Sequence, residues 1–353
     1  MNQELQRRNA SIDGIRAIAV IMVVVTHCIG GKNAENIFEM TILRLISGGS
    51  SIFLFVSGFL FQKGSESEFN FLTFLTKRAK TILIPYAVLT GVFLSLYFIF
   101  EKLPPYVRHF TEEKANYSLF EWIELYFNYL WTGRIAIPYW FIPTIFIFFL
   151  LSPLFIRFSR IDLKWQISIL VILFIVSGFS QKSFDNISPI HSSITFSVFY
   201  LMGILAAKYE MKILNMPKKA LIYFGISATL LSFIQVNLFQ THLNLHKESF
   251  LTLNGFDLFY LKEGFIIIFL WVLFTKWVTK VSAPLKFISE RSLPIFFLHQ
   301  WVIMILEKAV GYESLAISNN TFILIVFTFA YSFLFVEIAK AYFPSRSKLL
   351  FGY

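Results

Sequence analysis

Cysteine is almost missing from this chain: its 353 residues hold one, Cys28, so no disulfide can close within it, and nothing about a redox compartment follows. Charge is scarce too. Asp, Glu, Lys and Arg make up 15% of the residues and hydrophobic types 56%, whereas a soluble domain carries about 25% charge. The nucleophile elbow GxSxG, the P-loop, HExxH, HxxxxD and any reactive-cysteine pattern are absent, which removes the usual soluble hydrolase, nucleotide and zinc chemistries. His242 and His246 stand at a ligand-like spacing, but no third ligand accompanies them, so no metal is expected. There is no internal repeat and no low-complexity linker. A cleavable leader is not expected either: Asn2–Arg8 is polar, and the first apolar run reads as a span that stays in place.

What the chain has instead is a series of apolar runs near 20 residues long, enough to cross a bilayer. Ten spans are expected, at roughly 12–30, 42–61, 82–100, 138–157, 165–180, 191–208, 219–239, 256–275, 293–310 and 319–340. The expected fold is all-α, a polytopic helical membrane protein forming one domain over residues 1–353, with membrane lipid as its solvent. The net charge of +10 would suit nucleic acid, but basic loops flanking the membrane explain it better, and no nucleic-acid partner is expected. With the N-terminus inside, inner segments hold the larger share of Lys and Arg, among them Arg7, Arg8, Lys77, Arg78, Lys80, Arg157, Arg160 and Lys164. An even number of spans puts both termini in the cytoplasm. The exception is the long outer loop 101–137, which also carries Glu101, Glu112, Glu113, Glu121 and Glu124. A short basic tail follows Tyr342.

Polar residues inside these runs are few, and the first run has the most telling set. Ser11–Cys28 contains Asp13, Arg16 and His27. Eleven residues at about 100° each bring Arg16 and His27 to one helix face, roughly 16 Å apart along the axis. An arginine at the centre of a membrane helix costs about 2.5–3.5 kcal/mol to insert, less near its end. Either these residues line a polar site, or Arg16 snorkels to the surface and His27 merely ends the helix. In the second run, Ser47, Ser51 and Gly58 share a face that suits either close helix packing or a site. Phe69–Leu75 reads as a short interfacial helix, followed by Lys77, Arg78 and Lys80. That cluster fits acidic lipid head groups or a phosphorylated cofactor. Pro85 is expected to kink the third span. The aromatic stretch 120–131 suits the outer interface or a sugar platform, and Pro138 and Pro143 bracket Trp140. Glu263 either neutralises Lys262 or faces a cavity. His299 and Gln300 sit inside the ninth span, where His299 is either satisfied by a hydroxyl or part of a cavity. Glu337 lies near the inner end of the last span.

Taken together, these blocks resemble the acyltransferase-3 family of integral-membrane acyltransferases. DGIRAIAVIMVVVTH is similar to the family's opening helix, with Arg16 and His27 in its R-x10-H arrangement. FLFVSGFL matches its SGF motif, through Ser57 and Gly58. KRAKTILIPY resembles its basic stretch, PYWFIPTIFIFFLLSPL its WFL…P block, and RSLPIFFLHQ its late block with Ser292 and His299. Thr81 stands where relatives often carry a second arginine. The esterase-like domain of longer members is not seen, so a stand-alone member is expected.

The resemblance implies a membrane-bound O-acyltransferase. It would carry a short acyl group from acyl-coenzyme A, acetyl-coenzyme A first, to a hydroxyl of a cell-envelope carbohydrate or glycolipid. The inner (plasma) membrane is its expected location. His27 is the expected general base, with His299 and Arg16 as further catalytic candidates. Arg16, Lys77, Arg78, Ser57 and Gly58 are the donor-binding candidates, and Trp140, Glu263 and Asp13 those for the acceptor. A transporter or flippase of a glycan or lipid-linked saccharide is the rival reading, since midplane polar groups also suit that class.

Overall fold

Helices dominate because a bilayer leaves the backbone no other partner: each N–H and C=O must bond within its own segment. The computed structural model describes residues 2–30, 34, 36–65, 69–99, 118–217, 219–247, 249–250, 255–278, 280–310 and 321–344. Residues 101–117 of the expected outer loop, residue 100 before it and the basic tail beyond 344 lie outside them. Chain order runs α1 (Asn2–Ile29), α2 (Ile37–Ile46), α3 (Gly49–Gly64), α4 (Phe71–Arg78), α5 (Ile84–Ile99), α6 (Leu119–Thr132) and α7 (Phe141–Leu150). It continues through α8 (Ser152–Arg160), α9 (Leu163–Ser180), α10 (Pro189–Lys208), α11 (Glu210–Leu214) and α12 (Lys219–Phe239). The last helices are α13 (Phe259–Trp277), α14 (Ala283–Glu290), α15 (Ser292–Val310) and α16 (Thr321–Tyr342). Among the described residues the strand content is one two-residue parallel pairing, β1 (Lys182–Ser183) with β2 (His246–Lys247).

The membrane-protein expectation holds, and the span count changes. Among the described residues seven helical stretches are long and apolar enough to cross a membrane: 10–29, 37–64, 71–96, 163–180, 189–208, 219–239 and 321–342. Residues 119–132 and 137–150, bent by 71° at a short break, make an eighth if they form one span. The other two spans of the expected ten fall on α13 and α15. α13 is 19 residues long but holds Lys262, Glu263 and Lys276, and the apolar part of α15 is the shorter Ser292–Leu306.

The third span also differs from expectation. Phe71–Leu96 is one helical run, so the short helix expected over 69–75 is continuous with the span. Residues Ala79–Leu83 widen into a π turn, and Ile84 N–H reaches back to Ala79 O. Pro85 follows at once. A proline offers no N–H to the carbonyl four residues back, and a π turn just before it is a place where the ladder is already rearranged.

The chain divides into two compact units. The first comprises 1–69, 152–183 and 194–292. In it α1 packs on α3, α13 and α14, and α12 packs on α2 and α13. Two glycines let α3 and α10 touch backbone to backbone: a Cβ on Gly58 would collide with the carbonyl of Tyr200, and one on Gly203 with that of Phe55. The small residue of the SGF block is therefore a packing position. Gly58→Leu should prevent normal assembly, since overpacking a tight contact costs about 1–3 kcal/mol or more. The check is the monodisperse fraction after detergent extraction, which should fall sharply against wild type; an unchanged profile would contradict the contact.

The second unit comprises 70–151, 184–193 and 293–353. There α6 packs on α5 and α7, and α4 on α7. Gly133, at φ 73°, ends α6 in the left-handed region that favours glycine. Arg134 then pairs with Asp185 at 2.6 Å. A 3-10 turn, Ile137–Trp140, with proline near its start, leads into α7.

Candidate active site

α1 is unbroken from Asn2 to Ile29. Arg16 and His27 therefore keep their separation of roughly 16 Å along its axis. The Arg16 end is built with α14 and the first residue of α15. Ser289 Oγ donates to Asp13 Oδ1 at 3.1 Å, and Arg16 Nη2 donates to Ser292 Oγ at 3.1 Å. Both serines are buried, while Asp13 and Arg16 are half-buried. A charge-assisted bond fixes each side chain and still leaves part of the charged group accessible. His27 lies in the last turn of α1 and is half-buried.

The second span holds the feature that reading the sequence missed. It is not one helix: α2 ends at Ile46, Ser47 is extended, and Gly48 turns left-handed at φ 108° before α3 begins. A break like this leaves orphan carbonyls on one side and orphan N–H groups on the other. Two consecutive residues of α13 answer them. Lys262 Nζ donates to Arg44 O at 2.9 Å, Ser47 O at 3.1 Å and Ser47 Oγ at 3.4 Å. It also pairs with Glu263. The Glu263 carboxylate lies against Gly48, where any Cβ would collide with it. A cation thus meets the negative end of α2 and an anion the positive end of α3, the arrangement helix dipoles favour. Lys262 and Glu263 are 1% and 0% exposed, so neither charge relies on water.

Arg44 is completely buried within this span. It pairs with Asp257 at 2.7 Å. Its Nη1 also donates to Leu243 O at 2.9 Å and to Asn244 Oδ1 at 2.8 Å. The guanidinium lies 5.2 Å from the Phe259 ring centre. Asp257 in turn accepts from Phe259 N at 2.9 Å and from Leu245 N at 3.3 Å. Of the two alternatives open for Glu263, pairing with Lys262 is the one realised. Its second oxygen, Oε2, is buried without a hydrogen-bond partner among the described residues. The available signal was GGSS inside an apolar run, with Asp257, Lys262 and Glu263 crowded into another.

Lys77, Arg78, Trp140 and His299 lie in the second unit. Arg78 packs its guanidinium over the rings of Phe74 and Phe149, at 5.4 and 5.6 Å, while Lys77 and Lys80 are exposed. Thr81, at the divergent motif position, donates to Lys77 O at 3.0 Å. Trp140 is buried in the 3-10 turn. Beside it Tyr139 donates to Phe297 O at 2.7 Å and accepts from Trp301 Nε1 at 3.1 Å, anchoring the turn on α15. His299, on the same helix, is completely buried, and its Nδ1 lies 3.0 Å from Ile295 O. Because a carbonyl only accepts, Nδ1 carries the hydrogen and Nε2 is the basic nitrogen. Ser57 is half-buried on α3, in the first unit. His242 and His246 are not on a helix, so their spacing does not align them as ligands. Among the described residues no group of three or more His, Cys, Asp or Glu gathers to hold a metal.

No curated protein and no solved structure matches the chain significantly. A family model does: the acyltransferase domain of the acyltransferase-3 family aligns with residues 9–338. That range takes in the Arg16–His27 helix, the broken second span and the His299 helix, so this chain belongs to the acyltransferase-3 family of membrane-bound acyltransferases.

Proposed function

We propose that this enzyme transfers an acetyl group from acetyl-coenzyme A to a hydroxyl of a cell-envelope or exported carbohydrate, within the plasma membrane. The observation that carries the reading is an arginine and a histidine eleven residues apart on one unbroken apolar helix of an acyltransferase-3 domain. A sugar hydroxyl is too weak an acid to ionise at pH 7, so it needs a base at the moment of attack. His27 takes its proton as the oxygen bonds to the thioester carbon. The C–S bond then breaks, sulfur leaves with the electron pair, and the imidazolium returns the proton to it. The products are an O-acyl ester and free coenzyme A.

Arg16 serves the donor rather than the tetrahedral oxyanion, because about 16 Å of intact helix separates it from His27. Its guanidinium, held by Ser292, suits the coenzyme's phosphates. Ser57, in the same compact unit as Arg16, is assigned to the donor from the family resemblance.

The test is reconstitution in liposomes with radiolabelled acetyl-coenzyme A and envelope glycan. Label should pass to the glycan. Absence of transfer from both acetyl- and succinyl-coenzyme A would overturn the reading. In the same assay Arg16→Gln should raise the KM for acyl-coenzyme A about 10–100-fold, the worth of a charge-assisted hydrogen bond, with kcat little changed.

A further inference from the structure

Beside the last turn of α1 lies a half-open cavity of about 70 Å³. Thr26 and Ile29 form one wall, Ile46 and Ser47 at the end of α2 another, and His242 and Asn244 a third. Two of these residues carry buried polar atoms without a hydrogen-bond partner among the described residues: Thr26 Oγ1 and His242 Nε2. Leaving a buried polar group unpaired costs about 1–3 kcal/mol, so such groups point to a guest.

The wall is rigid where the guest would need it. Arg44 holds Leu243 O and Asn244 Oδ1, and Asp257 holds Leu245 N. Lys247 Nζ donates to Phe179 O at 2.6 Å, and His246 pairs with Lys182 across the short sheet. A site on a pinned segment is pre-organised for recognition.

Size and charge define the guest. The volume is about half that of a 150 Å³ cavity known to admit benzene. A hydroxymethyl group or one edge of a sugar ring fits, and a nucleotide does not. An anion is disfavoured, since Arg44 is committed to Asp257 and Lys262 to Glu263. Burial, followed by the nearby Arg44 charge, lowers the His242 pKa from its ordinary value and keeps the ring neutral. Thr26 offers a donor and an acceptor, a neutral imidazole the same pair, and Ile29 and Ile46 an apolar face for sugar C–H groups.

We infer that this cavity is a subsite for a neutral, hydroxyl-bearing acceptor, gripped by Thr26 and His242. The inference rests on the acyl-transfer reading above and names where its acceptor docks. Thr26 precedes His27 on α1, where consecutive side chains point about 100° apart; His27 does not line the cavity, so the subsite flanks the proposed base and a bound sugar must extend past Thr26 to bring a hydroxyl to it.

Two measurements test it. In the transfer assay, Thr26→Val and His242→Phe should each raise the acceptor KM about tenfold, with donor KM and kcat near wild type. Independently, a cysteine at the exposed rim, Leu243→Cys, should react with maleimide more slowly when millimolar methyl hexosides are present, and not when phosphate is. Unchanged acceptor KM in both variants, or protection by phosphate instead of hexoside, would overturn the subsite. Hexoside protection in a protein that transfers no acyl group would leave the subsite standing and remove the acyltransferase mechanism.

Discussion

Replacing His27 by alanine should lower acyl transfer by about 10²–10⁴-fold, the range that general-base help supplies. The loss should fall on kcat, because the imidazole acts only as the hydroxyl attacks, and the donor KM should stay close to wild type. Protein in the membrane should remain near normal, since a half-buried side chain in the last turn of α1 supports little of the core. Single-turnover transfer to glycan, with wild type and variant side by side, reads the effect. Retention of most of the rate would move the base elsewhere. His299 is then the next candidate, because its Nδ1 is tied to Ile295 O and its Nε2 is the basic nitrogen. His299→Ala in the same assay would show that shift directly.

The second large effect concerns assembly. Asp257→Ala should destabilise the first unit by about 3–5 kcal/mol, because breaking a buried pair strands the opposite charge. Arg44 is 0% exposed and Asp257 1%, so water cannot take over. The same substitution also removes the acceptor for Phe259 N and Leu245 N, at the start of α13 and in the pinned loop. A much lower melting temperature in detergent is expected. The double replacement Arg44→Met with Asp257→Leu should recover most of the loss, since a packed apolar pair often matches a buried ion pair. A single variant that melts like wild type would mean that the pair contributes nothing; a double variant as unstable as the single would assign the loss to the backbone contacts instead.

The division between what was legible and what was not runs along particular residues. Hydropathy alone located most of the membrane-crossing helices, because a 20-residue apolar run has few other fates in a folded chain. The R-x10-H pair was legible because helical periodicity sets which residues share a face, and α1 proved continuous over both. The π turn before Pro85 was not: from one sequence a proline predicts a disturbance but not how the ladder absorbs it. Glu263 was recognised as a choice between an ion pair and a cavity, and only its neighbours could settle it.

The sequence by itself determined the class of the protein, an all-helical membrane acyltransferase, and the candidates on its first helix. The helical membrane class and the shared face of Arg16 and His27 follow from local quantities, hydrophobicity per turn and the angle per residue; acyl transfer follows from the resemblance of the motif blocks and the family match. Tertiary structure alone decided that the second span breaks at Ser47–Gly48, that Lys262 and Glu263 answer its two ends, and that Arg44 finds Asp257 across 213 positions. A charge in an apolar run announces that it needs a partner. Which partner it takes depends on how the helices pack, and packing is a property of all their faces together.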